Sequence, residues 1–265
     1  MDLGLKGKIA LVCGASAGIG RACAEALAAE GCDVFLVARR EELLAEFAGS
    51  LMRQHGGRAL FSPGDLSSND DCSKVLKALH EGFGGADILV ANSGGPPSGG
   101  AESSLGEDPL RRGWEQTFLS TLRMVRGVLP GMKEKKWGRI VAITSLSVFE
   151  PILNLALSNA YRTGLTGMLK TLASEAAPFG ITVNSVCPGY TRTARLEELA
   201  RATAEREGKP WESYLEAWAQ AAPAGRLGMP EEIASAVAFL CSEQAAYVTG
   251  VALPVDGGRI KSLLA

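Results

Sequence analysis

Lys8-Ile9-Ala10-Leu11-Val12-Cys13-Gly14-Ala15-Ser16-Ala17-Gly18-Ile19-Gly20-Arg21 is the stretch on which the fold turns. The apolar run at 8–13 has the length and Ile/Val/Leu content of a buried strand. The glycine turn after it opens into RACAEALAAEG, an amphipathic segment ending on glycine as a helix does. A glycine triplet alone says little in a chain with 32 glycines. Between a strand and a helix it has a mechanism: the turn is tight, the backbone can approach a pyrophosphate, and the amides at the helix head carry partial positive charge. Gly14, Ser16, Ala17, Gly18, Ile19 and Gly20 are therefore candidate dinucleotide-binding positions.

Outward from this stretch the alternation continues. Apolar runs at 33–38, 58–62, 86–91, 139–144, 181–186 and 251–255 read as six further strands, separated by segments such as SSNDDCSKVLKALHEGFG and RTGLTGMLKTLASEAAPFG that read as helices. Parallel strands need a crossover, and a helix is the usual one. The expectation is one Rossmann-like, doubly wound α/β domain over residues 1–265, a seven-stranded parallel sheet with helices on both faces. Residues 95–108, GPPSGGAESSLGED, read as an exposed loop, and 194–224 as an Ala- and Glu-rich helical insertion.

Composition narrows the partners. With 265 residues, 46% hydrophobic and 21% charged, the chain has globular proportions. A net charge of −2 and a pI near 5.9 give no basic surface for a nucleic acid. The six cysteines (Cys13, Cys23, Cys32, Cys72, Cys187, Cys241) form no CxxC pair, and His55 and His80 are the only histidines, so no metal site is expected and the thiols read as reduced and mostly buried. The opening apolar run is too short for a signal peptide or a membrane span, which points to a cytoplasmic protein without a membrane partner.

The glycine spacing is Gly-x-x-x-Gly-x-Gly, and further segments follow the later strands: Asp65-Leu66, Asn92-Ser93-Gly94, Thr144-Ser145, and Pro188-Gly189 with Thr193. In spacing and order, over nearly the whole chain, this resembles the short-chain dehydrogenase/reductase family, and within it a divergent branch of the 3-oxoacyl-(acyl-carrier-protein) reductases. The resemblance implies that Asp65 and Leu66 flank an adenine, that Asn92, Ser93 and Gly94 meet ribose and pyrophosphate, and that Pro188 to Thr193 meet a nicotinamide carboxamide. Asp65 serves equally as a turn or helix cap. The segment Gly250 to Gly258 resembles the family's last strand and tail, which implies a homo-oligomer, a tetramer.

Cofactor choice rests on the end of the second strand, Val37-Ala38-Arg39-Arg40. No carboxylate stands there to accept ribose hydroxyls, and a guanidinium matches a 2′-phosphate, so NADP(H) is favoured over NAD(H). The alternative is that Arg39 and Arg40 begin an exposed helix and pair with Glu41 or Glu42.

At the chemical end the resemblance implies a tyrosine proton donor, a lysine four residues later, a serine and an upstream asparagine. Counting back without a gap from Pro188-Gly189 places Arg162 at the lysine position, Ser158 at the tyrosine and Thr117 at the asparagine; Ser145, thirteen residues before Ser158, alone is kept. An alkyl hydroxyl is a far weaker acid than a phenol, whose pKa is about 10, and arginine holds charge without relaying protons. Tyr161 points about 60° away from Ser158 on a helix. It and Tyr190 are alternative donors, or tyrosines packed at a helix edge.

Trp211, Tyr214 and Trp218 lie three and four apart, a stripe that forms either a lid over an apolar or acyl substrate or a packing face. The expected function is an NADP(H)-dependent oxidoreductase interconverting a carbonyl and a secondary alcohol of a small molecule, with an altered proton donor. The alternative is a dinucleotide-binding pseudo-reductase serving as sensor, scaffold or partner subunit.

Overall fold

The computed structural model describes residues 2–263; Met1, Leu264 and Ala265, part of the single domain read over 1–265, lie outside the described residues. The elements alternate as β1 (Ile9–Cys13), α1 (Gly18–Ala29), β2 (Asp33–Ala38), α2 (Glu41–His55), β3 (Ala59–Pro63), α3 (Asn69–Phe83) and β4 (Ile88–Ala91). They continue with α4 (Glu107–Gly113), a π-helical segment (Trp114–Leu119), α5 (Ser120–Lys135), β5 (Gly138–Ile143), α6 (Ala156–Ala176) and β6 (Ile181–Pro188). The last are α7 (Ala194–Glu207), α8 (Trp211–Gln220), α9 (Pro230–Cys241) and β7 (Ala252–Val255).

The strands form one seven-stranded sheet in the order β3-β2-β1-β4-β5-β6-β7, with every neighbouring pair parallel. Successive side chains of a strand point to opposite faces, and β1 feeds two cores in turn. Ala10 and Val12 join one with α1, α2 and α9 through Leu27, Phe47 and Val237. Leu11 and Cys13 join the other with α3, α5 and α6 through Val75, Met124 and Leu165. Buried on both faces, the strands are continuous apolar runs rather than alternating ones, and all six cysteines are buried and unpaired.

The strand order reverses between β1 and β4. In an open parallel sheet that reversal leaves a crevice at the carboxyl ends of the strands, so the residues after Cys13 and after Ala91 face each other there.

Residues 95–108 are largely exposed, as read, but not without structure: Pro96 and Ser104 are buried, Glu102–Ser104 forms a short 3₁₀ turn, and α4 starts at Glu107. Gly99 clasps the approach to α6, its N–H donating to the Asn154 carbonyl at 2.7 Å while its carbonyl accepts from the Ala156 N–H at 3.1 Å. The helical insertion read over 194–224 is two helices, α7 and α8, and α8 buries no residue fully. No helix among the described residues is long and apolar enough to cross a membrane.

Candidate active site

The glycine turn is built around Asn92. Gly14 has φ +64°, and a Cβ on it would come within 2.6 Å of the Asn92 carbonyl oxygen and 2.7 Å of its Nδ2. A Cβ on Gly20 would likewise meet Asn92 Nδ2 at 2.7 Å. No L side chain fits at either place, so glycine is what lets the loop after β1 close against the loop after β4. Gly18 lies against the Thr193 methyl, which would be 3.2 Å from its Cβ. The loop after β6 thereby joins the other two.

The head of α1 is bare. Ala17 supplies no side-chain cap and the first turn holds no acid, so the amides of Gly18, Ile19 and Gly20 keep the positive end of the helix. Thr193 caps α7, its Oγ1 accepting from the Leu196 N–H at 3.3 Å. Arg40 turns back over the glycine loop and donates to Ser16 Oγ at 3.3 Å rather than pairing with Glu41 or Glu42; Arg39 stays exposed beside it. Asp65 makes a turn, accepting from the Ser67 N–H at 3.0 Å and the Ser67 hydroxyl at 2.8 Å, and Leu66 packs on the core beneath α3. Ser93 and Gly94 follow Asn92 on the crevice side, with Gly94 exposed.

A cavity of about 180 Å³ continues from this cradle, and its lining includes Ile19, Ser145, Pro188, Gly189, Thr193 and Tyr190. Ser145 reaches it from the turn after β5, where its Oγ accepts the Ser147 N–H at 3.1 Å. Ser158 does not line the cavity: it is buried on α6 with its Oγ 3.2 Å from Ser147 Oγ, and Ser147 meets Ser145 only through its backbone N–H. Tyr161 does not face the crevice either. Its hydroxyl donates to the Leu110 carbonyl at 2.9 Å and its ring packs edge-on against Trp114, held there because Gly113 has no side chain to displace it.

Arg162 lies one turn past Ser158 and is buried. Its Nη1 donates to the carbonyls of Ile143 and Thr144, both at 2.9 Å, pinning the end of β5 from which Ser145 projects. Burial brings its guanidinium down to about 10, partly opposed by Cys187 and reinforced by the nearby positive charge of Arg195, and it remains a cation at neutral pH. Thr117 sits on the π-helical segment, fully buried, with an Oγ1 that has no hydrogen-bond partner. Such a widened turn is common at functional sites.

Tyr190 lines the cavity and stacks on Trp218 with ring centroids 5.1 Å apart and 7° between planes. Burial pushes its phenol upward. Beyond it opens a second chamber of about 370 Å³, lined by Tyr214, Trp218, Asn154, Thr203 and Arg259 among others. Trp211 leaves the stripe to stack under Arg201, 3.9 Å from its ring centroid.

Sequence reading missed Glu150, Arg195 and Arg259 in this wall. Arg195, two residues past the Thr193 cap, was within reach of the motif. The Arg259–Glu150 ion pair at 2.5 Å spans 109 positions and has no local signature.

A family model described as enoyl-(acyl carrier protein) reductase matches residues 14–259. The 3-oxoacyl-(acyl-carrier-protein) reductase FabG of Vibrio cholerae is 38% identical over 258 residues, 97% of this chain and 98% of that one. L-Sorbose reductase from Gluconobacter frateurii, solved with NADPH and L-sorbose, matches with a TM-score of 0.92 at 36% identity, over 99% of this chain and 100% of that chain. A variant of the actinorhodin polyketide ketoreductase solved with NADPH matches with a TM-score of 0.90 at 34% identity, over 97% and 98% of the two chains. With a cradle of this build, the matched model and these relatives, the chain belongs to the short-chain dehydrogenase/reductase family of oxidoreductases.

Proposed function

We propose that this chain is an NADP(H)-dependent oxidoreductase that interconverts a carbonyl and a secondary alcohol on a small molecule, with Ser145 polarising the substrate oxygen. One observation carries the reading: the cradle that any Cβ at Gly14 or Gly20 would fill opens into the same cavity that Ser145 lines. The bare head of α1 fits a pyrophosphate, Asn92 and Thr193 fit the ribose and carboxamide side, and Arg39 and Arg40 fit a 2′-phosphate. Relatives solved with NADPH favour that phosphate. When bound, the nicotinamide supplies or accepts a hydride.

The chain's own part is to hold and polarise. Ser145 Oγ accepts from the Ser147 amide, which leaves its proton free to point at a substrate oxygen. Proton supply differs from the family pattern. With the Tyr161 hydroxyl given to the Leu110 carbonyl and the Ser158 hydroxyl paired with that of Ser147 away from the cavity, no phenol of α6 donates. We assign the proton to water in the cavity, passed through Ser145. General acid assistance is worth about 10²- to 10⁴-fold, so turnover is slow rather than absent. Tyr190 and Trp218 form an aromatic wall for the remote part of an apolar or acyl substrate. A homotetramer belongs to the same proposal, favoured by the exposed Phe239 and Tyr247 near β7.

The experiment is a panel of ketones and acyl thioesters with NADPH and with NADH. Saturable NADPH oxidation is expected, with kcat/KM reduced about 10²- to 10³-fold in Ser145→Ala at unchanged NADPH affinity. A flat trace across the panel, with NADPH still bound, would leave the second reading, a dinucleotide-binding protein without turnover. The tied-off hydroxyls of Tyr161 and Ser158 favour that reading.

A further inference from the structure

Among the described residues two arginines are buried, and only one has its charge balanced. Arg139, 2% exposed, donates to the carbonyls of Ser242, Gly138 and Gly180, lies 3.5 Å from the Glu243 carboxylate and stacks on Trp137. Arg162, 8% exposed, satisfies Nη1 on two backbone carbonyls and has no carboxylate in ion-pair range among the described residues. Its Nε and Nη2 have no hydrogen-bond partner there either. A largely buried cation without a carboxylate is stabilised by a counter-charge brought to its free nitrogens.

Nη2 of Arg162 is turned toward Gly95. A carbon at the Cβ position of Gly95 would lie 3.9 Å from it and 3.8 Å from Nη2 of Arg195, which reaches over from the first turn of α7. Arg195, itself exposed, is steadied by the Pro96 carbonyl at 3.3 Å on Nη2 and by the exposed Glu198 at 3.5 Å on Nη1. Glu150, the acid of the cavity wall, is engaged by Arg259. Two guanidinium groups thus face one gap that the missing side chain of Gly95 keeps open.

We propose that the gap above Gly95, between Arg162 and Arg195, is an anion subsite that takes one carboxylate or phosphate-ester group. Guanidinium forks match both anions. The two Nη2 atoms, 3.8 and 3.9 Å from one point, lie close enough for one oxyanion to accept a charge-assisted bond of about 2.8 Å from each. Arg162 grips the carbonyls just before Ser145, and Arg195 lines the cavity with Ser145 and Thr193. The anion therefore sits beside the reacting centre. Two sources share the chemistry: the phosphate on the nicotinamide side of a dinucleotide, or an acid group on the substrate. The inference rests on the oxidoreductase reading for its choice of probes.

Calorimetry with two matched pairs tests it. Nicotinamide mononucleotide is compared with nicotinamide riboside on the free protein, and 4-oxopentanoate with its methyl ester on protein with and without saturating NADP⁺. One anionic probe is expected to bind at least about 10-fold tighter than its neutral partner. That preference should vanish in Gly95→Leu, which fills the gap at a backbone without positive φ, and in Arg195→Gln, which removes one charge without added bulk. A preference in the mononucleotide pair assigns the subsite to the cofactor; one in the oxo-acid pair assigns it to the substrate. Equal binding within both pairs, or a preference that survives both substitutions, overturns the subsite. An NADPH titration of the wild type run alongside judges the cofactor reading separately.

Discussion

Ser158 and Arg162 occupy one face of α6, a turn apart, where a phenol and a primary ammonium would form an acid with its charge partner. Replacing them together, Ser158→Tyr with Arg162→Lys, puts back both the phenol and a cation that lowers its pKa. Ketone reduction by NADPH is expected to rise at least about 10-fold, the low end of general acid catalysis. No gain in kcat, with NADPH affinity retained, would mean that the cavity does not present a carbonyl to that face. What these residues are was legible from spacing alone; where their side chains go was not. Tyr161 is turned aside by the Leu110 carbonyl 51 positions earlier and by the bare Cα of Gly113, and Arg162 is held by carbonyls 18 and 19 positions back. Contacts of that separation leave no trace in a local pattern.

At the scale of the element, the strand–turn–helix around Gly14 to Gly20 was readable because each part carries its own signal: an apolar run, glycines and an amphipathic helix. What makes Gly20 obligatory is chiefly local, the Gly14 carbonyl oxygen being the nearest atom to where its Cβ would stand; the second contact, Asn92 Nδ2 at 2.7 Å, comes from another strand. Gly20→Ala is expected to lose about 1–3 kcal/mol of stability by overpacking and to weaken NADPH binding in parallel. Unchanged denaturant midpoint and affinity would show that the loop yields without strain. The start of α9 offers a second test. The Glu232 carboxylate accepts from Arg226 at 2.6 and 2.7 Å and from the Met229 N–H at 2.7 Å, which holds it near 2 against an ordinary 4.5. A lowered folded-state pKa stabilises above the unfolded value and is lost on acidification. The melting temperature of wild type should therefore exceed that of Glu232→Gln by a constant margin above about pH 5, and the margin should close between pH 4.5 and 2. A margin independent of pH would rule this linkage out.

Over the whole molecule, the sheet order places the glycine loop, the Asn92 loop, Ser145 and Thr193 at one end of one sheet. Two cores share the strands between them, so the described chain is expected to melt in a single transition. NADPH at a hundredfold excess over its Kd should add about 2.7 kcal/mol, a rise in melting temperature of roughly 5 to 10 °C. Two separated transitions, or no shift, would count against a site that spans β1, β4, β5 and β6. The layered order followed from the alternation of runs. The outer chamber did not, because Arg259, in its wall, pairs with Glu150 across 109 positions of the chain.

The six buried thiols have a use beyond packing. Cys23, Cys32 and Cys241 lie under the α1–α9 face, Cys13 and Cys72 under the α3–α5 face, and Cys187 at the end of β6 beneath the cavity. Burial lifts Cys13, Cys23 and Cys32 to about 12, so an alkylating reagent modifies them only during moments of opening. The order in which mass spectrometry finds them capped would read out, layer by layer, which side of the sheet breathes first. A bound coenzyme should slow Cys187 and Cys13 ahead of the others.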